Sequence, residues 1–137
     1  MGTVHAEITL KNARDVGKAR EGLITEEDVR VENVQAIVDT GAMSMVIDEE
    51  ICQKLGLMIQ GERYAIVANG ERVKCKITEA VEIHWKNRLS TLSAVVMPGA
   101  PNALLGVIPL EDMDLIVNPV TQELVGAHGE VVECYVL

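Results

Sequence analysis

Residues 36–47 read AIVDTGAMSMVI, two apolar runs joined through one carboxylate, one hydroxyl and one glycine. Ala36–Val38 has the composition of a strand approaching burial, and Met43–Ile47 is apolar again except at Ser44. Asp39 therefore sits where a buried strand stops. Taking a carboxylate out of water is costly unless it is paired or hydrogen-bonded, so this placement asks for a chemical reason. The plain reading of Asp39-Thr40-Gly41 is a turn, in which Asp and Thr cap backbone amides and Gly supplies a positive φ. A solvent-exposed turn, however, does not need buried strands on both sides.

A carboxylate in such a position becomes useful beside a second one. Two acids about 3 Å apart cannot both ionise, so they share one proton. One can then activate water as a general base while the other protonates or polarises a carbonyl, with no metal and no covalent intermediate. No second Asp-Thr-Gly or Asp-Ser-Gly exists in the chain. Asp15-Val16-Gly17 lies in a polar stretch, and Asp112 and Asp114 belong to a later region whose matching turn carries Gly106. One chain thus holds half of such a site, and if the protein is an enzyme the other aspartate comes from a second copy across a twofold axis.

Outward from this stretch, the chain alternates strands and turns. Thr3–Leu10 places Val4, Ala6, Ile8 and Leu10 on one side and His5 and Glu7 on the other, a half-buried strand. Lys11–Asp28 is charged, glycine-punctuated and weakly patterned, and reads as a long loop or an extended surface hairpin. Val29–Val38 is a second strand. Asp48-Glu49-Glu50 starts a short helix, with an N-cap acid and two carboxylates at the positive end of its dipole. Ile51, Cys52 and Leu55 form its apolar face, and Gly56 ends it.

Tyr64–Ile77 is split by Asn69-Gly70, which predicts a two-residue type I′ hairpin. That turn sets Ala68 opposite Glu71, Ile66 opposite Val73 and Tyr64 opposite Cys75, with an apolar face of Tyr64, Ile66, Val73 and Cys75. Ala80–Lys86 and Leu92–Met97 follow as strands, the first with Val81, Ile83 and Trp85 on one side. Leu104-Leu105-Gly106 then repeats the apolar-run-and-turn pattern, and Pro109 suits the first position of a second short helix through Met113. Leu115–Val117 and Glu123–Val125 flank an Asn118-Pro119 turn, and Val131–Leu137 reads as a last strand. The whole is an all-β pattern with two short helices.

At 137 residues the chain is most simply one domain, residues 1–137, long enough to bury roughly two-thirds of its unfolded surface. Aromatic residues make up 2% and Phe is absent, so the core must be built from Val, Ile, Leu, Ala and Met. A net charge of −9 without a long Lys/Arg run argues against nucleic acid and anionic membrane as partners. No apolar stretch is long enough to span a bilayer, and none near Met1 resembles a signal peptide. The three cysteines, Cys52, Cys75 and Cys134, are odd in number and widely spaced, which fits a reduced, cytoplasmic protein with free thiols. Cys52 and Cys75 read as core residues, Trp85 as core or interface, and His84 as solvated beside Glu82 and Lys86. His5, His84 and His128 lie too far apart to suggest a metal site, and no cofactor is expected. Met1 leads almost directly into the first strand, so no activating pro-segment is expected either.

Val38-Asp39-Thr40-Gly41-Ala42, a helix, an Asn-Gly hairpin, and Leu104-Leu105-Gly106 before a second helix together resemble a retropepsin-type aspartic protease. More narrowly, they resemble the small bacterial members that carry one active-site motif per chain, over about Val29 to Val125. The resemblance implies a closed β-barrel subunit that works as a homodimer on a peptide or protein substrate. It implies that Asp39 of each subunit joins the dyad, that Thr40 hydrogen-bonds across the axis, and that Gly41 lets a backbone amide approach the carboxylate, with Ala42 completing the loop. It also implies that the 64–77 hairpin is a flap over the bound peptide, with Ala68, Asn69, Gly70 and Glu71 at its tip, and that the chain termini pair between subunits. The tip is less glycine-rich than many flaps, and Glu71 near a cleft would repel acidic substrates. The function so implied is an aspartic endopeptidase; the alternative is a retropepsin-like domain that binds peptides or assembles partners without appreciable turnover.

Overall fold

The computed structural model describes residues 2–136. The first strand, β1 (His5–Asn12), buries Ala6, Ile8 and Leu10 and pairs antiparallel with β2 (Val31–Val38). The remaining strands are β3 (Met45–Ile47), β4 (Ile59–Ile66), β5 (Arg72–Trp85), β6 (Arg88–Val96) and β7 (Ala103–Leu105). They form a seven-stranded sheet in the order β1-β2-β7-β3-β6-β5-β4, and β1 also pairs with β5. That extra pairing closes six strands into a barrel and leaves β4 outside it. The fold is the all-β closed barrel expected from the sequence.

The core follows from strand alternation. Val81, Ile83 and Trp85 of β5 point inward with Leu10, Met45, Ile47, Ala94 and Leu105, and no disulfide is needed to hold them. Cys52 and Cys75 are buried free thiols, and burial pushes the Cys52 thiol pKa up. Helix α2 (Glu49–Lys54) begins as its sequence dictates, the Asp48 carboxylate accepting the Ile51 amide at 2.8 Å.

Three expectations fail, each for a local reason. Lys11–Asp28 lies at the end of the β1–β2 hairpin but is not irregular: it contains helix α1 (Ala13–Arg20) and a 3₁₀ turn at Glu26–Asp28. Asn12, fully buried, accepts the Asp15 amide at 3.0 Å as N-cap and donates to the Leu55 carbonyl at 2.8 Å. Asp15 is buried too and receives the Arg30 backbone amide, Nε and Nη2 at 2.8–3.1 Å, which holds its carboxyl below the usual range. Arg14 reaches Glu79 on β5 at 3.0 Å. Tertiary ion pairs and a cap therefore hold a helix whose own pattern is weak.

The hairpin register is the second failure. Ile66 faces Arg72, Ala65 faces Val73, Tyr64 faces Lys74 and Arg63 faces Cys75, one residue away from the expected pairing. The turn has three residues, Ala68–Gly70, with the Val67 amide on the Glu71 carbonyl at 3.0 Å. Gly70 alone takes a positive φ (86°), and the Asn69 side chain accepts the Glu71 amide at 2.9 Å. This is the type I turn plus G1 bulge rather than the two-residue turn. A one-residue slip exchanges faces. Tyr64 and Ile66 are exposed beside Arg72 and Lys74, while Ala65, Val67, Val73 and Cys75 make the inner face.

Third, residues 131–136 join no strand and are exposed, and Leu137 lies outside the described residues. A ribbon of β8 (Leu115–Asn118) and β9 (Glu123–Gly126) precedes them. The tail is anchored only as far as Glu133: Arg88 donates to the carbonyls of Met113, Asp114 and Gly129, and Asp114 accepts His128 Nδ1 at 2.7 Å and the Glu133 amide at 3.0 Å. A strand needs a partner, and among the described residues these find none.

Two consequences can be measured. Gly17 sits inside α1 with open space where a Cβ would go and no left-handed φ. Gly17→Ala should therefore raise stability by about 0.5–1 kcal/mol, a Tm increase of about 1–4 °C; an unchanged or lower Tm would contradict the helix. Asp15→Asn should cost on the order of 2 kcal/mol at neutral pH, discounted because Arg30 is partly exposed. Since the folded carboxyl titrates below its unfolded value, this contribution is complete above about pH 4 and fades as pH falls through the folded pKa. Denaturant melts from pH 2 to 7 should show the gap between wild type and variant closing at the acid end.

Candidate active site

The Asp39 loop is built by threading one strand between two others. β7 lies between β2 and β3, parallel to the first (Val38 opposite Leu105) and antiparallel to the second (Met45 opposite Leu105). The chain leaving β2 must pass over the end of β7 to reach β3, and residues 39–44 make that passage. The Asp39 amide donates to the Leu105 carbonyl at 3.0 Å, continuing the β2–β7 ladder by one bond. Helix α3 (Val107–Asp112) follows β7 directly, and its first two amides, Val107 and Ile108, donate to the carbonyls of Ala42 and Met43 at 2.8 and 2.9 Å. These are donors that a helix cannot satisfy internally. The helix thus starts two residues before Pro109, which occupies its third position rather than the first one expected.

Gly106 makes this docking possible. Its backbone is extended (φ −90°, ψ −175°), so conformation does not call for glycine. Space does: a Cβ there would lie 2.3 Å from the Ser44 carbonyl oxygen and 2.6 Å from that of Ala42. The repeat of apolar run and glycine at 104–106 was visible in the sequence, but read as a turn; its role is close approach to the Asp39 loop.

Within the loop, the Gly41 amide donates to Asp39 Oδ1 at 2.9 Å, and the Ala42 amide to the Asp39 carbonyl at 3.1 Å. Gly41 is not in the left-handed region that a simple turn reading calls for. Asp39 is half-buried, Thr40 and Gly41 are exposed and Ala42 is half-buried, so the loop faces solvent with one carboxylate oxygen oriented by backbone. Two exposed apolar side chains that sequence reasoning did not single out, Met43 and Ile108, flank it across the Ile108–Met43 hydrogen bond.

The hairpin residues Ala68, Asn69, Gly70 and Glu71 are all exposed at the tip of a projecting arm. β6 pairs with β5 only from Lys76 onward and β1 only at Val81–His84, so Arg72–Cys75 are bonded to β4 alone. His84 is partly exposed and pairs with Glu82 at 2.8 Å, away from any role in the loop. Among the described residues no three His, Cys, Asp or Glu side chains gather as metal ligands.

Comparison with known proteins agrees with this fold. The sequence model of a family described as "gag-polyprotein putative aspartyl protease" matches residues 27–112, from the 3₁₀ turn to the end of α3. The chain belongs to this retropepsin-like aspartyl protease family. Among solved structures it resembles EIAV protease complexed with the inhibitor HBY-793, at 25% identity and a TM-score of 0.51, over 58% of this chain and 76% of that one. It shares its fold with the retroviral protease-like domain of Ddi1 from Leishmania major, at 12% identity and a TM-score of 0.58, over 88% of this chain and 84% of that one. No curated protein sequence matches it.

The dependence of the loop on Gly106 is testable. Gly106→Ala drives a methyl group against the Ser44 and Ala42 carbonyls, so it should cost about 1–3 kcal/mol and displace the 42–44 carbonyls. Thermal unfolding and the amide NMR resonance of Gly41 report the two effects. A variant with wild-type Tm and an unmoved Gly41 signal would show that the close approach does not constrain the loop.

Proposed function

We propose that the chain is one subunit of a homodimeric aspartic endopeptidase. The observation that carries the reading is the loop itself. One Asp-Thr-Gly per chain is docked on a closed barrel, with its carboxylate half-buried, facing solvent and oriented through Oδ1 by the Gly41 amide. A twofold axis at this loop would bring two such carboxylates together, each with its second oxygen directed at the shared space. In that arrangement the pair holds one proton. The ionised member takes a proton from water, the water attacks the peptide carbonyl, and the protonated member donates to the carbonyl oxygen. Proton transfer to the departing amine then breaks the C–N bond.

Other features fit this reading. The exposed Met43 and Ile108 at the loop would be covered by a partner or a substrate side chain, and the unpaired tail at 131–136 would find strands to pair with at a subunit interface. The projecting arm with Ala68–Glu71 at its tip would close over the peptide. Family membership and the likeness to EIAV protease support peptide-bond chemistry in particular.

Asp39→Asn should reduce cleavage of a peptide library by about 10³-fold or more while the Tm holds or rises, because one substitution removes both acids and their mutual repulsion. The active species should sediment as a dimer. Undiminished cleavage by the variant would place the chemistry elsewhere. Peptide binding without cleavage by either protein would favour the reading as a binding or assembly domain.

A further inference from the structure

Strands β5 and β6 are joined by the two-residue turn Lys86-Asn87, which borders a cavity of about 500 Å³. That is the volume of a small-molecule site. Trp85, the single tryptophan of the chain, lines it with Leu124 and Val125 of β9, and so do two cations, Lys86 and Arg88. Lys86 holds a left-handed φ of 49°, and its Nζ sits 4.6 Å from the centre of the Trp85 ring. Glu130, which is exposed, is the one acid among the lining residues, and its backbone carbonyl accepts Asn87 Nδ2 at 3.3 Å.

Arg88 is only 3% exposed, and every partner it has is neutral. Nη1 donates to the carbonyls of Met113 and Asp114 at 2.8 and 2.7 Å, and Nη2 donates to that of Gly129. Among the described residues the guanidinium forms no ion pair, and its buried Nε meets no acceptor. The Asp114 carboxylate is already committed: His128 first, then the Glu133 amide, and only last the Arg88 charge hold it below its usual range. A buried cation with neutral partners and an idle donor is costly to keep. It is also closely packed, since a Cβ at Gly126 of β9 would run into both the guanidinium and the Gly129 carbonyl. What its bonds leave over is the Nε–H and one N–H of Nη2. That is the edge on which a guanidinium takes a carboxylate two-pronged, as Arg30 takes Asp15 elsewhere in the chain.

We propose that this cavity binds a small organic carboxylate, received by the Nε–Nη2 edge of Arg88 with its hydrocarbon body against Trp85, Leu124 and Val125. Lys86 supplies a second positive charge. Nε is closed to solvent here, so seating the carboxylate shifts the Arg88 side chain toward the cavity. Phosphate is a poorer occupant: two free N–H groups match the fork of a carboxylate, and the carbonyls around Arg88 repel a dianion. No residue of the Asp39 loop or of the hairpin tip lines the cavity, so the site stands whether or not that loop cleaves peptides.

As the only tryptophan, Trp85 reports on the cavity wall directly through its emission. Full-length protein at neutral pH is titrated with isocaproate, phenylacetate and phenylbutyrate. The amide of each acid, acetate and inorganic phosphate serve as controls. At least one of the three carboxylates should change the emission saturably, with a half-point at or below about 5 mM, and its amide, acetate and phosphate should bind roughly tenfold more weakly or worse. The Arg88 Nε–H resonance should move with that carboxylate and stay with its amide. Lys86→Asn, which suits the left-handed φ, should weaken binding about threefold, and Arg88→Lys, which loses the fork, about tenfold or more. The first variant and the Nε–H signal carry the test if Arg88→Lys does not fold. Saturation by none of the three carboxylates, equal binding of the amide or of phosphate, an unmoved Nε–H signal, or full affinity in a folded variant would overturn the proposal.

Discussion

The candidate site depends on two hydrogen bonds, from the amides of Val107 and Ile108 to the carbonyls of Ala42 and Met43. Through them a helix terminus and a loop that lie some sixty-five residues apart satisfy each other's backbone groups. Without that contact, α3 would leave donors unpaired and residues 39–44 would cross the end of β7 unsupported. Leu105 contributes the third bond, accepting the Asp39 amide, and Gly106 leaves the room in which all three can form. The carboxylate is thus set in place by backbone, and its own side-chain bond to the Gly41 amide is local. Such a loop can expose Asp39 without letting it wander.

The rest of the barrel serves this threading. β7 is three residues long and is held between β2 and β3 by a ladder on each side, while the β1–β5 pairing closes the barrel. The price of closure is one strand left over, β4, which with the free end of β5 becomes an arm. That arm differs from the barrel in chemistry as well as in position: it is basic, exposed on its outer face and unpaired along one edge.

The sequence showed the threading well and the periphery poorly. Ala36–Val38 running into Asp39, and Leu104-Leu105 running into Gly106, are short apolar runs that end where the sequence places them, although Gly106 serves close approach and not a turn. Asp48 was legible as an N-cap because its signal is local. Helix α1 was not. Its N-cap, Asn12 on the Asp15 amide, is as local as that of Asp48, but Gly17 interrupts the run behind it, and its other stabilising contacts, Asn12 with Leu55, Asp15 with Arg30 and Arg14 with Glu79, join residues distant in sequence. The arm's register failed because Asn-Gly serves both a two-residue turn and the three-residue bulged turn found here; the choice rests on one side-chain bond, Asn69 to the Glu71 amide. Val131–Val136 has strand composition, but composition does not supply a neighbour. Met43 and Ile108 gave no signal at all, since an apolar residue in a buried pattern reads as core until the loop geometry turns it outward.

The central claim is that one working site takes one Asp39 from each of two chains, and subunit mixing tests it most directly. Wild-type and Asp39→Asn chains are combined at constant total concentration, left until subunits exchange, and assayed for peptide cleavage. If both acids are needed, activity falls as the square of the wild-type fraction, to about a quarter at equal amounts, because mixed dimers are inert. A linear fall, to about a half at equal amounts, would mean that each chain carries its own complete site, and would contradict the account.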